Sequence, residues 1–231
     1  MAFCEIICLA NSKKYQARCV AGLCTDGRGW VRPIGPNEHG TLDARHYTLD
    51  DGSEARVLDL LRIELDSPRP EPHQPENWLV GQARWKLIAR PAPKSRLGAL
   101  RDGIVTGPAL LGSQSDRTPY AAFRSSAAEA SLALIRPMEL EWLVTTSPRG
   151  KPQVRALFKL GGAPYSLSVT DPIWERKLSG RRVGKHPLAS TGLNCEDVLL
   201  TISLGEPFQD QSCYKLVAAV IPLPTAWRAA L

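Results

Sequence analysis

Residues 154–182 read VRALFKLGGAPYSLSVTDPIWERKLSGRR, and the fold turns on how they are parsed. VRALFKL and YSLSVT are short runs of β-branched, leucine and aromatic residues, the composition of half-buried strands. LGGAPY connects them, its two glycines permitting the positive φ of a hairpin turn. After the second strand, Asp171 suits a helix N-cap, because its carboxylate can accept an orphan backbone N–H. Pro172 suits the first helical turn, which needs no donor, and Gly180 suits the stop. The stretch therefore reads as strand, turn, strand and one short capped helix.

The same pattern extends in both directions. EIICLA, GWVRPI, ARVLDLLRIEL, WLVGQARWKLIAR, ELEWLVTT, VLLTISL and CYKLVAAVI bring the strand candidates to nine, each bounded by Gly, Pro, Asp, Asn or Ser. Helical signals are confined to Pro93–Arg101, Ser125–Leu132 and Asp171–Ser179. Asp102–Ser126 lacks periodicity and is rich in Gly, Ser, Pro and Asp, the composition of a long loop. The two ends repeat one motif. Ile7-Cys8-Leu9 leads through a polar insert to Cys19-Val20-Ala21-Gly22-Leu23, and Ile202-Ser203-Leu204 leads to Cys213–Val220. The expected fold is mainly β: two small barrels with a few short helices, rather than one large sheet.

At 231 residues the chain can bury a full core, and 43% hydrophobic with 23% charged residues is ordinary for a globular protein. Runs such as LVAAVIPLP fall short of the roughly 20 residues that cross a bilayer, so no membrane association is expected. The opening MAFCEIICLANSKK places Glu5 inside its apolar stretch and its lysines after it, the reverse of a secretory signal, so a cytoplasmic location is expected. The six cysteines, Cys4, Cys8, Cys19, Cys24, Cys195 and Cys213, show no C-x-x-C spacing, which argues against a zinc site and for small buried hydrophobes. P-loop, Rossmann-glycine, H-E-x-x-H and G-x-S-x-G signatures are absent, and neither metal nor cofactor is expected.

The net charge of +6 is segregated. From Asn11 to Ile34, Lys13, Lys14, Arg18, Arg28 and Arg32 stand against Asp26 alone. From Gly35 to Glu76 ten acids face four arginines, and from Arg149 to Lys185 nine bases face Asp171 and Glu175. Clustered bases release counterions from a phosphate backbone, so the two basic segments are candidate nucleic-acid footprints. In Arg28-Gly29-Trp30-Val31-Arg32, strand alternation would place two guanidiniums beside an indole able to stack a base. The competing reading makes Trp30 core and lets the arginines reach out along the rim. Arg176, Lys177, Arg181, Arg182 and Lys185 read as a mobile basic arm. His73, Glu76 and Asn77 could together move protons, but the prolines flanking His73-Gln74 favour a rigid turn.

ICLANSKKYQARCVAGL, GWVRPI, LDL with PEPHQPENWL, YSLSVTDPIWE, and ISLGEPF with CYKLVAAVI resemble, in this order, the dual OB-containing domain family of small prokaryotic proteins. The blocks span about Ile6 to Ile221. The resemblance implies two OB-like barrels and nucleic-acid binding, and brings no catalytic residues with it. The expected organisation is a barrel over residues 1–100, a linker or flap over 101–126 and a barrel over 127–231, with the first and last strands pairing across the boundary. The expected function is non-catalytic binding of single-stranded or structured RNA or DNA through Lys13, Lys14, Arg18, Arg28, Trp30, Arg32 and the basic arm. The alternatives are a nuclease using His73, Glu76 or His186, and an assembly subunit of a larger ribonucleoprotein or defence complex.

Overall fold

A computed structural model of the chain describes residues 2–14, 17–147 and 150–227. The chain is mainly β, with 49% strand against 15% helix. The N-terminal part contains β1 (Ala2–Lys14), β2 (Ala17–Cys24), β3 (Trp30–Ile34), α1 (Ala44–Tyr47), β4 (Leu60–Pro68), β5 (Asn77–Val80) and β6 (Lys86–Ala89). Strand order is β1-β2-β3-β5-β4 and back to β1, with β3 and β5 parallel and β6 added outside β4. The long β1 closes this barrel by serving two neighbours. Ala2–Ile7 pair with β4 and Ile6–Lys14 pair with β2, and the register shifts between Cys8 and Ala10. Such an irregularity bends a strand from one partner toward the next. Gly22 sits where this bend is tightest, since a Cβ there would lie 2.4 Å from the Ile7 carbonyl oxygen.

The rest of the chain contains α2 (Gly98–Asp102), β7 (Ile104–Val105), β8 (Arg117–Pro119), α3 (Ala122–Ser125), β9 (Leu132–Ile135), β10 (Met138–Thr146), β11 (Pro152–Leu160), β12 (Ala163–Val169), α4 (Pro172–Ser179), β13 (Gly184–Pro187), β14 (Val198–Pro207) and β15 (Ser212–Pro222). Its sheet runs β13-β10-β11-β12-β15-β14-β9-β7, with β8 on β15 and with β12 parallel to β15. The order of the first barrel is repeated here, with one change. Its first strand is split: β9 pairs with β14, β10 pairs with β11, and Arg136-Pro137 separates the two halves. Proline has no N–H to give a ladder, which accounts for the break.

The opening stretch folds as read. Gly161 and Gly162 turn β11 into β12 with φ of 53° and 84°. Asp171 caps α4 through Oδ1, which accepts from the N–H of Ile173 at 2.9 Å and of Trp174 at 3.2 Å. Its Oδ2 also accepts from the Val220 N–H at 3.0 Å, tying the cap to β15.

Several expectations need correction. Ser125–Leu132 is not a helix: α3 ends at Ser125, and Leu132–Ile135 form β9 with all four residues buried. Alanine-rich sequence favours a helix locally, but the apolar LALI is enclosed between β14 and β7, and that environment decides. ARVLDLLRIEL becomes strand only from Leu60, after a turn in which Leu58 has φ of 70°. WLVGQARWKLIAR splits into β5 and β6 around Gly81. Residues 101–126 are strapped to the second barrel. Leu110 joins its core, and the buried Lys215 ammonium donates to the Ser113 carbonyl and hydroxyl and the Ser115 carbonyl at 2.7–2.9 Å. Among the described residues β1 pairs with β2 and β4, not with the last strand. It meets β15 through side chains instead: Ile7, Leu9 and Ala10 share one apolar cluster with Ala218, Ala219 and Ile221. Across this seam the Thr201 hydroxyl donates to the Leu9 carbonyl at 2.6 Å.

Candidate functional site between the two barrels

At one end of the seam the apolar packing gives way to buried polar side chains. The parallel pairing of β3 with β5 sets Arg32 beside Asn77. Arg32 is only 2% exposed, and its Nη2 donates to the hydroxyls of Ser131 at 3.0 Å and Ser203 at 3.1 Å, both from the second barrel. Ser131 in turn donates from its backbone and its hydroxyl to the two oxygens of Glu76, at 2.7 and 2.6 Å. Glu76 thus reaches the guanidinium through a serine rather than directly.

The turn from Glu71 to Gln74, closed by two backbone hydrogen bonds of 3.1 and 2.9 Å, places His73 and Gln74 against the same seam. The Gln74 amide nitrogen donates to the Leu204 carbonyl at 3.0 Å. Its oxygen faces the Asn77 amide nitrogen at 3.4 Å. Among the described residues Arg32 Nε and Nη1, both ring nitrogens of His73 and Asn77 Oδ1 have no hydrogen-bond partner. Burial, reinforced by Arg32 and Lys14 and opposed by Glu206, pushes the His73 imidazole below its ordinary pKa, so at neutral pH it is an uncharged donor and acceptor. Its ring meets Tyr120 edge-on at 5.4 Å, which fixes its plane.

These groups border a cleft formed by two adjoining cavities of about 710 and 200 Å³, within the range of sites for small ligands and nucleotides. Lys14, Gln74 and Glu206 line both. The larger also reaches His73 and Asn77, and the smaller Lys13, Arg32 and Ser203. Lys14 bridges the mouth, its ammonium 2.6 Å from Glu206 of β14 and 2.6 Å from the His39 carbonyl. Beyond Glu206 and Pro207, Phe208 stands 60% exposed at the tip of the β14–β15 hairpin, edge-on to Tyr214.

Of the residues picked out in the sequence, Lys13, Lys14, Arg32 and His73 come together at this cleft. The Arg28–Trp30–Arg32 clamp does not form. Gly27 and Gly29, with φ of 85° and 87°, make a turn before β3 begins at Trp30, so strand alternation does not extend back to Arg28. Arg28 is exposed and paired with Asp26 at 2.8 Å, Trp30 packs against the seam cluster, and Arg32 is buried. Arg18 is engaged by Glu54 at 2.8 Å.

The basic segment packs on the surface of the second barrel. Arg181 donates to the Ser190 carbonyl at 2.8 Å, and Lys177 lies 4.5 Å over the Trp174 ring. Lys185 and His186 belong to β13, where His186 pairs in register with Trp142. None of Arg176, Lys177, Arg181, Arg182 or Lys185 lines the cleft, and neither does His186, so His73, Glu76 and His186 do not assemble into one site. Among the described residues no three His, Cys, Asp or Glu side chains are grouped to hold a metal. Ser131 and Ser203 carried no functional signal in the sequence, because their role depends on contacts between distant strands.

The family described as Dual OB-containing domain matches residues 4–220. Among curated proteins none matches the chain.

Proposed function

We propose, from the premise that the chain belongs to the dual OB-containing domain family, that it binds single-stranded nucleic acid along the cleft between its barrels, without a covalent step. The observation that carries this reading is Arg32. A buried guanidinium is costly unless its charge and its donors are met, and here two serine hydroxyls meet only Nη2. The Nε and Nη1 donors that remain are separate charged donors suited to phosphate oxygens, and Lys13 adds charge beside them, with Lys14 shared with Glu206. OB barrels combine such basic grooves with aromatic faces for unpaired bases, and the exposed Phe208 next to the cleft supplies one.

No helix among the described residues is long and apolar enough to cross a membrane. Six free cysteines suit the reducing cytoplasm, where RNA and DNA are at hand. Fluorescence anisotropy with labelled single-stranded DNA and RNA 12-mers and the corresponding duplexes, over a salt series, tests the reading. Single strands are expected to bind more tightly than duplex, and Arg32→Ala to weaken them by about tenfold, the scale of one charge-assisted contact. Absence of binding at low salt would contradict the proposal.

A further inference from the structure

The orientation of one amide at the floor of the cleft can be worked out from its neighbours. A carbonyl oxygen only accepts, so the group that Gln74 presents to the Leu204 carbonyl at 3.0 Å must be its NH2. Its oxygen then faces Asn77, and Asn77 must turn its own NH2 toward that oxygen, 3.4 Å away. Asn77 Oδ1 is thereby fixed as an acceptor without a partner among the described residues, in a side chain 4% exposed that lines the larger cavity. His73 lines the same cavity, 6% exposed, with an N–H and a bare ring nitrogen that are also unpartnered.

We infer that Asn77 and His73 read the hydrogen-bonding edge of a nucleobase, so that the cleft is selective among bases rather than a uniform grip on a strand. This inference rests on the proposed function and divides the labour within it. Charge at Arg32 and Lys13 holds the phosphate, which carries no sequence information. The acceptor on Asn77 is neutral and fixed in direction, and the uncharged His73 ring offers one donor and one acceptor whose tautomer a bound base would select, which is what base recognition needs. Ring N–H and amino groups of a base complement the acceptors, and its ring nitrogens and carbonyls the His73 donor. A base that fails to match leaves buried polar atoms unpaired, and that penalty rejects it more strongly than any loss of packing.

The experiment measures binding of the full chain to single-stranded DNA 12-mers of adenine, cytosine or thymine at one salt concentration, for wild type, Asn77→Leu, His73→Phe and Arg32→Ala. Wild type is expected to separate its best and worst 12-mers by about tenfold, the worth of roughly one buried hydrogen bond. Asn77→Leu is expected to shrink that separation below about threefold, chiefly by weakening the best 12-mer, and to leave the salt dependence intact. His73→Phe keeps the aromatic packing on Tyr120 and removes two unpartnered nitrogens, so it is expected to fold, and to lose selectivity too. Arg32→Ala is expected to weaken all three 12-mers alike. Three 12-mers bound equally by wild type, or a preference that survives both His73→Phe and Asn77→Leu, overturns base reading while the proposed function stands. No binding of any 12-mer by wild type overturns both.

Discussion

Among the described residues each barrel buries one cation, and the two are used differently. Lys215 of β15 is 1% exposed, and all three of its donors are taken by Ser113 and Ser115. Arg32 of β3 is 2% exposed, yet two of its nitrogens have no partner among the described residues. Burial draws the Lys215 ammonium down to about 8, and the nearby Asp116 opposes that shift. A buried charge with every donor satisfied fastens a segment, here residues 113–115, to a barrel. A buried charge with donors to spare can hold a ligand. The contrast separates strap from site without reference to exposure, by which the two residues are nearly identical.

Breaking the strap tests the structural half. Lys215→Met leaves three acceptors unpaired and is expected to cost about 2–4 kcal/mol, read by urea unfolding, with oligonucleotide affinity unchanged. A loss of affinity without loss of stability would reverse the assignment of roles. Because the folded-state pKa of Lys215 lies below that of an unfolded lysine, the unfolded chain holds more protons between about pH 8 and pH 10.5. Its contribution therefore makes the protein more stable as pH rises through that window, and the Met variant should lose this slope.

The helix caps extend the comparison. Asp171 is buried and serves three backbone N–H groups, whereas Asp43, which begins α1, is half exposed and faces His46 and Arg45. Asp171→Ala is expected to cost about 2 kcal/mol and Asp43→Ala about 0.5, compared by thermal melting. Equal losses would mean that the tie from Asp171 to β15 contributes nothing.

Smaller effects are expected at His73. Its folded pKa is depressed by burial, so the unfolded chain binds the proton more readily, and stability is lost as pH falls from about 6.5 through the depressed value. His46, also depressed, adds a slope of the same sign. The difference between wild type and His73→Phe in thermal scans from pH 7 to pH 5 isolates the His73 share. Smallest of all, replacing Arg181 and Arg182 by Ala is expected to change affinity by less than about twofold, since both lie outside the cleft. A tenfold loss would restore the basic arm as the footprint.

Much of the architecture was legible. Strand composition and the Asp171-Pro172 and Gly180 signals depend on local chemistry, and each has its counterpart in the barrels or in α4. The likeness of the two chain ends misled, since β1 and β2 open the first barrel whereas β14 and β15 take the places of β4 and β5 in the second. Ser125–Leu132 misled because its alanines favour a helix locally, whereas the chain reaches Leu132 as the first residue of a strand enclosed on both sides. The clamp misled because periodicity was carried across Gly27 and Gly29, where the backbone leaves the strand. The site itself was half visible. Arg32 and His73 drew attention as residue types, but Ser131 and Ser203, 99 and 171 positions away from Arg32, become its neighbours only when the barrels dock.

The central claim is that Arg32 is the site and not the strap. Its most direct test is the salt dependence of single-stranded 12-mer binding by wild type and Arg32→Ala, with stability measured on the same samples. Arg32→Ala is expected to bind about tenfold more weakly, with a salt slope smaller by about one phosphate contact and stability within about 1 kcal/mol of wild type. An unchanged affinity and slope, together with a stability loss as large as that of Lys215→Met, would show instead that Arg32 only fastens the barrels together.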